Sequence, residues 1–347
     1  MNSIIQSGTL VGVDGQSVQV EIDLLRRLPC ITIVGLPDNA VRESGDRVRS
    51  AIQQSGFEFP RKRVIINLAP AGIRKQGPLF DLAIAVGILI AQSNNLFDKR
   101  LLVQSLFIGE LSLSGKLRPI RGALSITLMA KNSGLKRVVL PIENAAEASG
   151  IEGIDICPFT TLREVVLWLK GEKAPLDIPE ENCPAHCSSA DLCDVKGQAI
   201  PRRALEIAAA GGHNLIFWGS PGCGKSMLAM RMPTILPALS QAESIDITRI
   251  HSAAGTYHHS GLMRVRPFRA PHHSTSVSAM VGNAKLIPGE ATLAHNGVLF
   301  LDEIAEFRRD VLEALRGPLE NKEIQLTRAN GSINNRCRSK SRKYIRR

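Results

Sequence analysis

The sequence predicts an α/β fold in two domains, the first a mixed α+β unit and the second built on parallel strands. Three observations carry this prediction. A chain of 347 residues, 44% apolar and 22% charged, has the length and composition of about two soluble globular domains. Through its first half, short apolar β-branched runs alternate with stretches of helical periodicity. Further on, an apolar strand runs into a glycine-rich turn and a helix near 214–231, and a second apolar strand, 297–301, ends in two carboxylates.

The elements follow in order. Residues 4–34 read as strands, with the turn 12–15 between SGTLV and QSVQVEIDL and the run CITIVGLP after them. Asp38 to Gln54 reads as a helix because Val41, Val48, Ala51 and Ile52 recur at helical spacing. RKRVIINLAP is a strand stopped by proline, and Phe80 to Gln92 is apolar enough to be a buried helix. SLFIGELSLSGKLRPIRG reads as a hairpin turning at Ser114 and Gly115. A helix from Ala123 to Ser133, the strand RVVLP and a short helix from Asn144 to Ser149 follow. Prolines 175, 179 and 184 mark a linker, so the expected divisions are 1–174, 175–191, 192–333 and a basic tail, 334–347.

Charge and cysteine content narrow the function classes. The formal charge is +11, but seven of the cations lie in the last fourteen residues, and the rest of the chain carries only +4. The body is therefore mildly basic, and the tail is a candidate for nonspecific phosphate contact. Seven scattered cysteines exclude a disulfide framework. Cys183, His186, Cys187 and Cys193 gather soft ligands, yet their spacing suits a tetrahedral zinc site poorly and a reduced linker better. No run reaches the ~18 apolar residues of a membrane helix, and MNSIIQSGTLVGVDG lacks the layout of a secretory signal. A cytoplasmic location is expected, with no membrane partner.

The strongest chemical signal is GSPGCGKS, Gly219 to Ser226, between an apolar strand and the helical run MLAMRM. Gly219, Gly222 and Gly224 let the backbone curl so that the N–H groups of Ser220, Cys223 and their neighbours around Pro221 face phosphate oxygens. Lys225 would reach the β- and γ-phosphates of ATP, and the Ser226 hydroxyl would ligate Mg²⁺. GVLFLDE supplies the partner motif: Asp302 for Mg²⁺ and Glu303 to orient or deprotonate a water. Cys223 reads as a tolerated small residue rather than a redox switch. His272 and His273, adjacent in a proline-bounded stretch, diverge rather than chelate; a loop contacting DNA through Arg266, Arg269 and Lys285 is the other reading, with a solvated loop beside it.

Two resemblances add to this. GELSLSGKLRPIRG, LMAKNSGLKRVVLPIENAAE and RKQGPLFDLAIAVGIL resemble the proteolytic domain of Lon, a ribosomal-S5-like fold. Leu79 and Leu124 stand where that family has its serine and lysine, so proteolysis is not expected and a scaffolding role is. The segments 194–198, 204–214, 249–255, 269–274 and 288–290 resemble the magnesium-chelatase-like AAA+ family, and the fusion to a Lon-like domain resembles its YifB/ComM branch. That resemblance implies an ATP- and Mg²⁺-dependent homo-hexamer that drives DNA branch migration in natural transformation.

The resemblance stops at residue 333, before the sensor-1 asparagine, arginine finger and lid that relatives carry. A frameshift or premature stop is the expected origin of the tail 334–347, which is expected to be disordered. The family's strand order, 5-1-4-3-2, would then lack strand 4 and leave backbone groups facing a gap, at about 1–3 kcal/mol for each one kept dry. Impaired ATP turnover and a doubtful hexamer are the expected consequences. The alternatives are a chelatase-type motor subunit, a non-enzymatic fragment that binds DNA or a partner, and a remnant folded only in its first domain.

Overall fold

Residues 3–24 alternate between covered and open side chains, the period-two signature of strands with one face on a core. In the computed structural model they form β1 (Asn2–Val11) and β2 (Asp14–Leu25), antiparallel from Asn2↔Asp23 to Val11↔Asp14. Val18, Val20, Ile22 and Leu24 are the buried set of β2. The structure describes residues 2–93, 96–179, 191–257, 261–283, 286–321, 324–328, 331–335 and 343–346. The chain divides into two units, Met1–Asn182 and Cys183–Arg347.

In the first unit β3 (Ile31–Val34) leads to α1 (Asn39–Gln54). The Asp38 carboxylate starts that helix by accepting the Val41 N–H at 2.9 Å. Next come β4 (Arg63–Ala69) and α2 (Asp81–Gln92). All of α2 from Asp81 to Ala91 is buried, so this helix has no solvent stripe and acts as the centre of the core. Gly87 lets it lie close on the sheet, because a Cβ there would meet Ile22 Cδ1 at 2.5 Å and Ile5 Cγ1 at 3.2 Å. The chain continues through α3 (Lys99–Val103), β5 (Ser105–Phe107) and the hairpin of β6 (Glu110–Leu111) and β7 (Leu117–Arg118), which turns at Ser114 and Gly115. It ends with α4 (Ala123–Asn132), β8 (Arg137–Pro141), α5 (Ala145–Ala148), β9 (Asp155–Phe159) and α6 (Leu162–Leu169).

The main sheet runs β3-β4-β2-β1-β5-β8-β9. Every strand in it points one way except β2. Asp81 enters this core as a fully buried carboxylate. It accepts Arg47 Nε at 2.9 Å and Nη2 at 3.2 Å, and the Leu111 N–H at 3.3 Å. Leu79 and Leu124 are both buried. The last strand and helix, β9 and α6, are additions to the elements expected from sequence. A capping box, with Thr161 accepting Glu164 N–H and Glu164 reaching back, begins α6.

The second unit opens with α7 (Ala199–Gly211), β10 (Leu215–Ile216) and α8 (Lys225–Met230). Then follow α9 (Gln241–Ala254), β11 (Phe268–Arg269), α10 (Val277–Val281), α11 (Glu290–Leu293), β12 (Val298–Leu301) and α12 (Arg309–Asn321). A hairpin of β13 (Ile324–Arg328) and β14 (Gly331–Asn335) precedes β15 (Lys343–Arg346). The parallel sheet has the order β10-β15-β12-β11. Its core lies on both faces. Val298 and Phe300 join Leu205, Leu228 and Met232 on one side, while Leu299 and Leu301 join Met280, Phe307 and Val311 on the other.

Two expectations change here. The central position between β10 and β12 is not empty: the backbone of 343–346 occupies it, parallel to both neighbours. A slot flanked by two rows of unpaired N–H and C=O groups favours any extended segment that reaches it. The stretch 334–347 is therefore not uniformly without structure, since residues 334 and 335 belong to β14 and 343–346 to β15. Cys183, His186 and Cys187 lie outside the described residues, and Cys193 is an exposed free thiol. No described helix is long and apolar enough to cross a membrane.

Candidate functional site

The parallel strands of the second unit deliver their C-terminal ends to one place, where β10 runs into the glycine-rich turn and β12 into Asp302 and Glu303. Gly222 and Gly224 have φ of +77° and +84°, in the left-handed region that favours glycine, and they bend the backbone around Cys223. Helix α8 begins immediately afterwards, so Lys225 and Ser226 form its first turn. The Lys225 side chain folds back into the loop and is only 8% exposed. Its ammonium donates to the carbonyls of Gly219 at 2.6 Å and Ser220 at 2.5 Å, with Cys223 Sγ at 3.5 Å.

Two residues 76 positions apart then meet. Ser226 Oγ donates to Asp302 Oδ2 at 3.1 Å, while Asp302 Oδ1 accepts the Glu303 N–H at 3.0 Å. A hydroxyl and a carboxylate oxygen side by side are hard donors of the kind Mg²⁺ takes. Glu303 itself is exposed, with φ +52°. Its carboxylate, the Glu306 carboxylate and a His273 ring nitrogen all lie within 4.8 Å of one another, and His273 Nδ1 stands 3.5 Å from Glu306 Oε2. That grouping was not legible in the sequence, because thirty residues separate His273 from Glu303. His272, its ring centroid 3.9 Å from that of His273 and tilted 37° to it, turns instead to Ser274 Oγ at 2.9 Å. The two histidines face different partners.

The loop is also braced from outside its motif. Gln198 Nε2 donates to the Cys223 carbonyl at 2.7 Å. At the other end of α8, Arg231 donates from Nε to the Asp191 carbonyl at 3.0 Å and from Nη1 to the Met227 carbonyl at 3.0 Å. Leu192 and Val195, between those two anchors, are buried in the same core cluster as Leu228. Residues 191–198 thus hold both ends of the helix that carries Lys225 and Ser226. The indole of Trp218, one residue before Gly219, is 93% exposed.

Arg266 and Arg269 do not form a DNA-facing pair. Arg269 makes a two-pronged contact with Glu290, Nε to Oε2 at 2.6 Å and Nη2 to Oε1 at 2.7 Å. That hydrogen bond, ahead of the opposing effect of burial, holds the Arg269 guanidinium above its ordinary pKa. Arg266 is engaged by Glu243 at 3.2 Å and by the carbonyls of Pro237 and Asn296, each at 2.7 Å. Burial alone would raise the Glu243 pKa; the Ser240 N–H and Arg266 bring it below the ordinary carboxylate range. Both arginines join segments within the unit, and Lys285 lies outside the described residues. A cleft of about 480 Å³ lined by Gly212, Pro237, Glu243, Arg266 and Asn296 lies at the opposite end of the strands from the glycine-rich turn.

Comparison with known proteins matches residues 191–340 to the family described as magnesium chelatase, subunit ChlI. Residues 20–144 match the family described as subunit ChlI of Mg-chelatase. An uncharacterized protein of Mycobacterium tuberculosis is 45% identical over 325 residues, covering 92% of this chain and 64% of its own length. The competence protein ComM of Haemophilus influenzae is 43% identical over 337 residues, covering 95% of this chain and 66% of its own. This chain therefore spans about two thirds of those relatives or slightly less. Lon protease 2 of Bacillus subtilis is 31% identical over 144 residues, which cover 41% of this chain and 24% of that protease.

Proposed function

Because this chain belongs to the magnesium chelatase subunit ChlI family, we propose that its second unit is an ATP-dependent motor domain of the AAA+ type that works with Mg²⁺. The observation that carries the proposal is the 3.1 Å contact between Ser226 and Asp302, which joins the phosphate loop to the strand-end carboxylate. The backbone N–H groups along Gly219 to Ser226 cradle the phosphates, helped by the start of α8. Lys225 exchanges two neutral carbonyl acceptors for anionic phosphate oxygens, a stronger charge-assisted bond. Ser226 and Asp302 would hold Mg²⁺, which would neutralise phosphate charge. Glu303 orients the attacking water and takes its proton, with His273 and Glu306 beside it.

The finer reading is a homo-hexameric motor acting on DNA, driving branch migration. It rests on the resemblance of the segments 194–198, 204–214, 249–255, 269–274 and 288–290 to the YifB/ComM branch. The first unit is a Lon-like scaffold rather than a protease, since two buried leucines offer neither nucleophile nor base. A chelatase-type motor is the second reading, favoured by the name of the matching family. It would be stimulated by a porphyrin-binding partner and not by branched DNA.

Equilibrium titration of the full chain with a fluorescent ATP analogue tests the site. Charge-assisted bonds of about 1.5–3 kcal/mol make Lys225→Ala weaken binding by roughly 10–100-fold. Asp302→Asn is expected to remove most of the gain in affinity that Mg²⁺ gives. Equal binding by wild type and Lys225→Ala, with or without Mg²⁺, would exclude this site as the nucleotide site.

A further inference from the structure

The first unit is almost balanced in charge: residues 1–182 hold 21 Lys and Arg against 19 Asp and Glu. Its sheet nevertheless concentrates cations at one end. The register pairs Leu25, the last residue of β2, with Arg63, the first of β4. The Val64 N–H donates to the Cys30 carbonyl at 2.8 Å. These two contacts set the β2–β3 connection, 26–30, beside residues 61–63. Arg26 and Arg27 are thereby gathered with Arg61, Lys62 and Arg63, although some 35 positions separate the two groups.

Arg26, Arg27 and Arg61 are exposed, and Lys62 and Arg63 are half-buried. None of the five forms an ion pair with a described carboxylate. In the second unit, by contrast, Arg203, Arg308, Arg309 and Arg316 are neutralised by Glu206, Asp310, Glu313 and Glu320. The carboxylates at the same end include Asp23, Glu58, Asp98, Glu152 and Asp155. Asp98 accepts the Arg100 N–H at 2.8 Å and Asp155 pairs with Arg137 at 3.7 Å, so neither is aimed at the five cations.

The cluster also lies along a line. All strands of the sheet except β2 begin at this end, so the row continues past β1 to Lys99, ahead of β5, and Lys136, ahead of β8. From β3 to β8 is five strand spacings, about 24 Å. Duplex nucleic acid carries one charge per ~1.7 Å of axis, so a row of that length faces on the order of a dozen phosphates. Four of the five central cations are arginines, whose planar forks take phosphate oxygens two at a time.

We propose that the strand-start end of the first unit's sheet, centred on Arg26, Arg27, Arg61, Lys62 and Arg63, is a nucleic-acid surface that grips the phosphate backbone without reading sequence. The proposal names a DNA-contacting face for the DNA-directed reading above and rests on that reading for its biological use. The face belongs to the unit that carries no nucleotide site. It therefore gives the chain a hold on DNA that does not depend on ATP.

The test is fluorescence anisotropy of the full chain with a fluorescein-labelled 30-base-pair duplex, titrated between 50 and 200 mM salt. Five phosphate contacts give a slope of log K against log salt near −4.5, at roughly 0.9 per contact. Changing Arg26, Arg27, Arg61 and Lys62 together to serine should flatten the slope by roughly 3–4 and weaken binding at least ~10-fold at 100 mM salt. Replacing the three arginines by lysine should preserve most of the slope, which a purely structural defect would not. Unchanged affinity and slope in the serine variant would overturn the proposal. So would wild-type protein that fails to bind the duplex, or that binds phosphatidylglycerol vesicles in its place. Nucleotide titration of the same samples separates the two ideas. Loss of duplex binding with ATP binding intact supports this face, whereas salt-dependent duplex binding in a chain that binds no nucleotide would retain the face and remove the motor reading.

Discussion

Replacing Arg47 by methionine isolates the energetics of the first unit's core. Asp81 is fully buried, and the Arg47 guanidinium donates two hydrogen bonds to it, at 2.9 and 3.2 Å. At ~3 Å and an effective dielectric near 20, Coulomb attraction is about 5 kcal/mol, part of which offsets desolvation. Breaking a buried pair by removing one partner costs about 3–5 kcal/mol. The Arg47 side chain is 22% exposed, which lowers the expected loss to about 2–4 kcal/mol. With a urea slope near 2 kcal/mol/M, the unfolding midpoint should fall by about 1–2 M. Trp168, buried in this unit against Phe159 at 5.7 Å, reports the transition once Trp218 is changed to phenylalanine.

The pH dependence gives the sharper test. Burial, the largest influence, already holds Asp81 above the ordinary carboxylate range despite the opposing Arg47 bond. Without Arg47 it rises further, so acid protonates Asp81 in the folded state and relieves the penalty. The deficit of Arg47→Met should be greatest near pH 7 and shrink towards pH 5. Adding Asp81→Leu should restore much of the stability, because removing both partners leaves no unpaired charge. A loss under about 1 kcal/mol, or one that is constant from pH 7 to 5, would refute this account.

Two further outcomes follow from the same unit. For Glu164, burial alone would raise the pKa, but hydrogen bonds from Lys173 and Thr160 bring it to about 2. A depressed carboxylate stabilises the fold above its unfolded pKa, so about 1–3 kcal/mol should disappear as pH falls from ~4.5 towards 2; acid unfolding of Lys173→Met should show a smaller loss across that window. Gly87→Val should destabilise the unit by about 1–3 kcal/mol, since even a Cβ would meet Ile22 Cδ1 at 2.5 Å. An unchanged urea midpoint would mean that α2 can move off the sheet at little cost.

What the sequence disclosed and what it withheld divide along sequence separation. The elements near α1, α2 and the β6–β7 turn were legible because periodicity, an Asp38 cap and a Ser-Gly turn act within a few residues. The glycine-rich turn 219–226 was legible because its spacing is itself the geometry. Contacts that cross the chain were not. Nothing in the sequence alone pairs Arg269 with Glu290, sets His273 by Glu303, or lays Arg26 beside Arg61. The expected empty slot in the second sheet failed for a related reason, since strand propensity in four basic-flanked residues is weak until two open strand edges are present. Helix α6 carries a local signal of its own, the capping pair of Thr161 and Glu164.

The double brace on α8 has a consequence for how the second unit can be dissected. Every residue that touches phosphate or metal in the proposed site lies at or beyond Gly219, which invites a cut at Ala199, where the first helix of the unit begins. Such a piece would retain the complete motif and yet lose Gln198, the Asp191 carbonyl, Leu192 and Val195 together. The boundary of the proposed motor domain therefore lies upstream of its first helix, and an excised unit should begin no later than Asp191. Residues that look like the end of a tether are the mould in which the glycine-rich turn is cast.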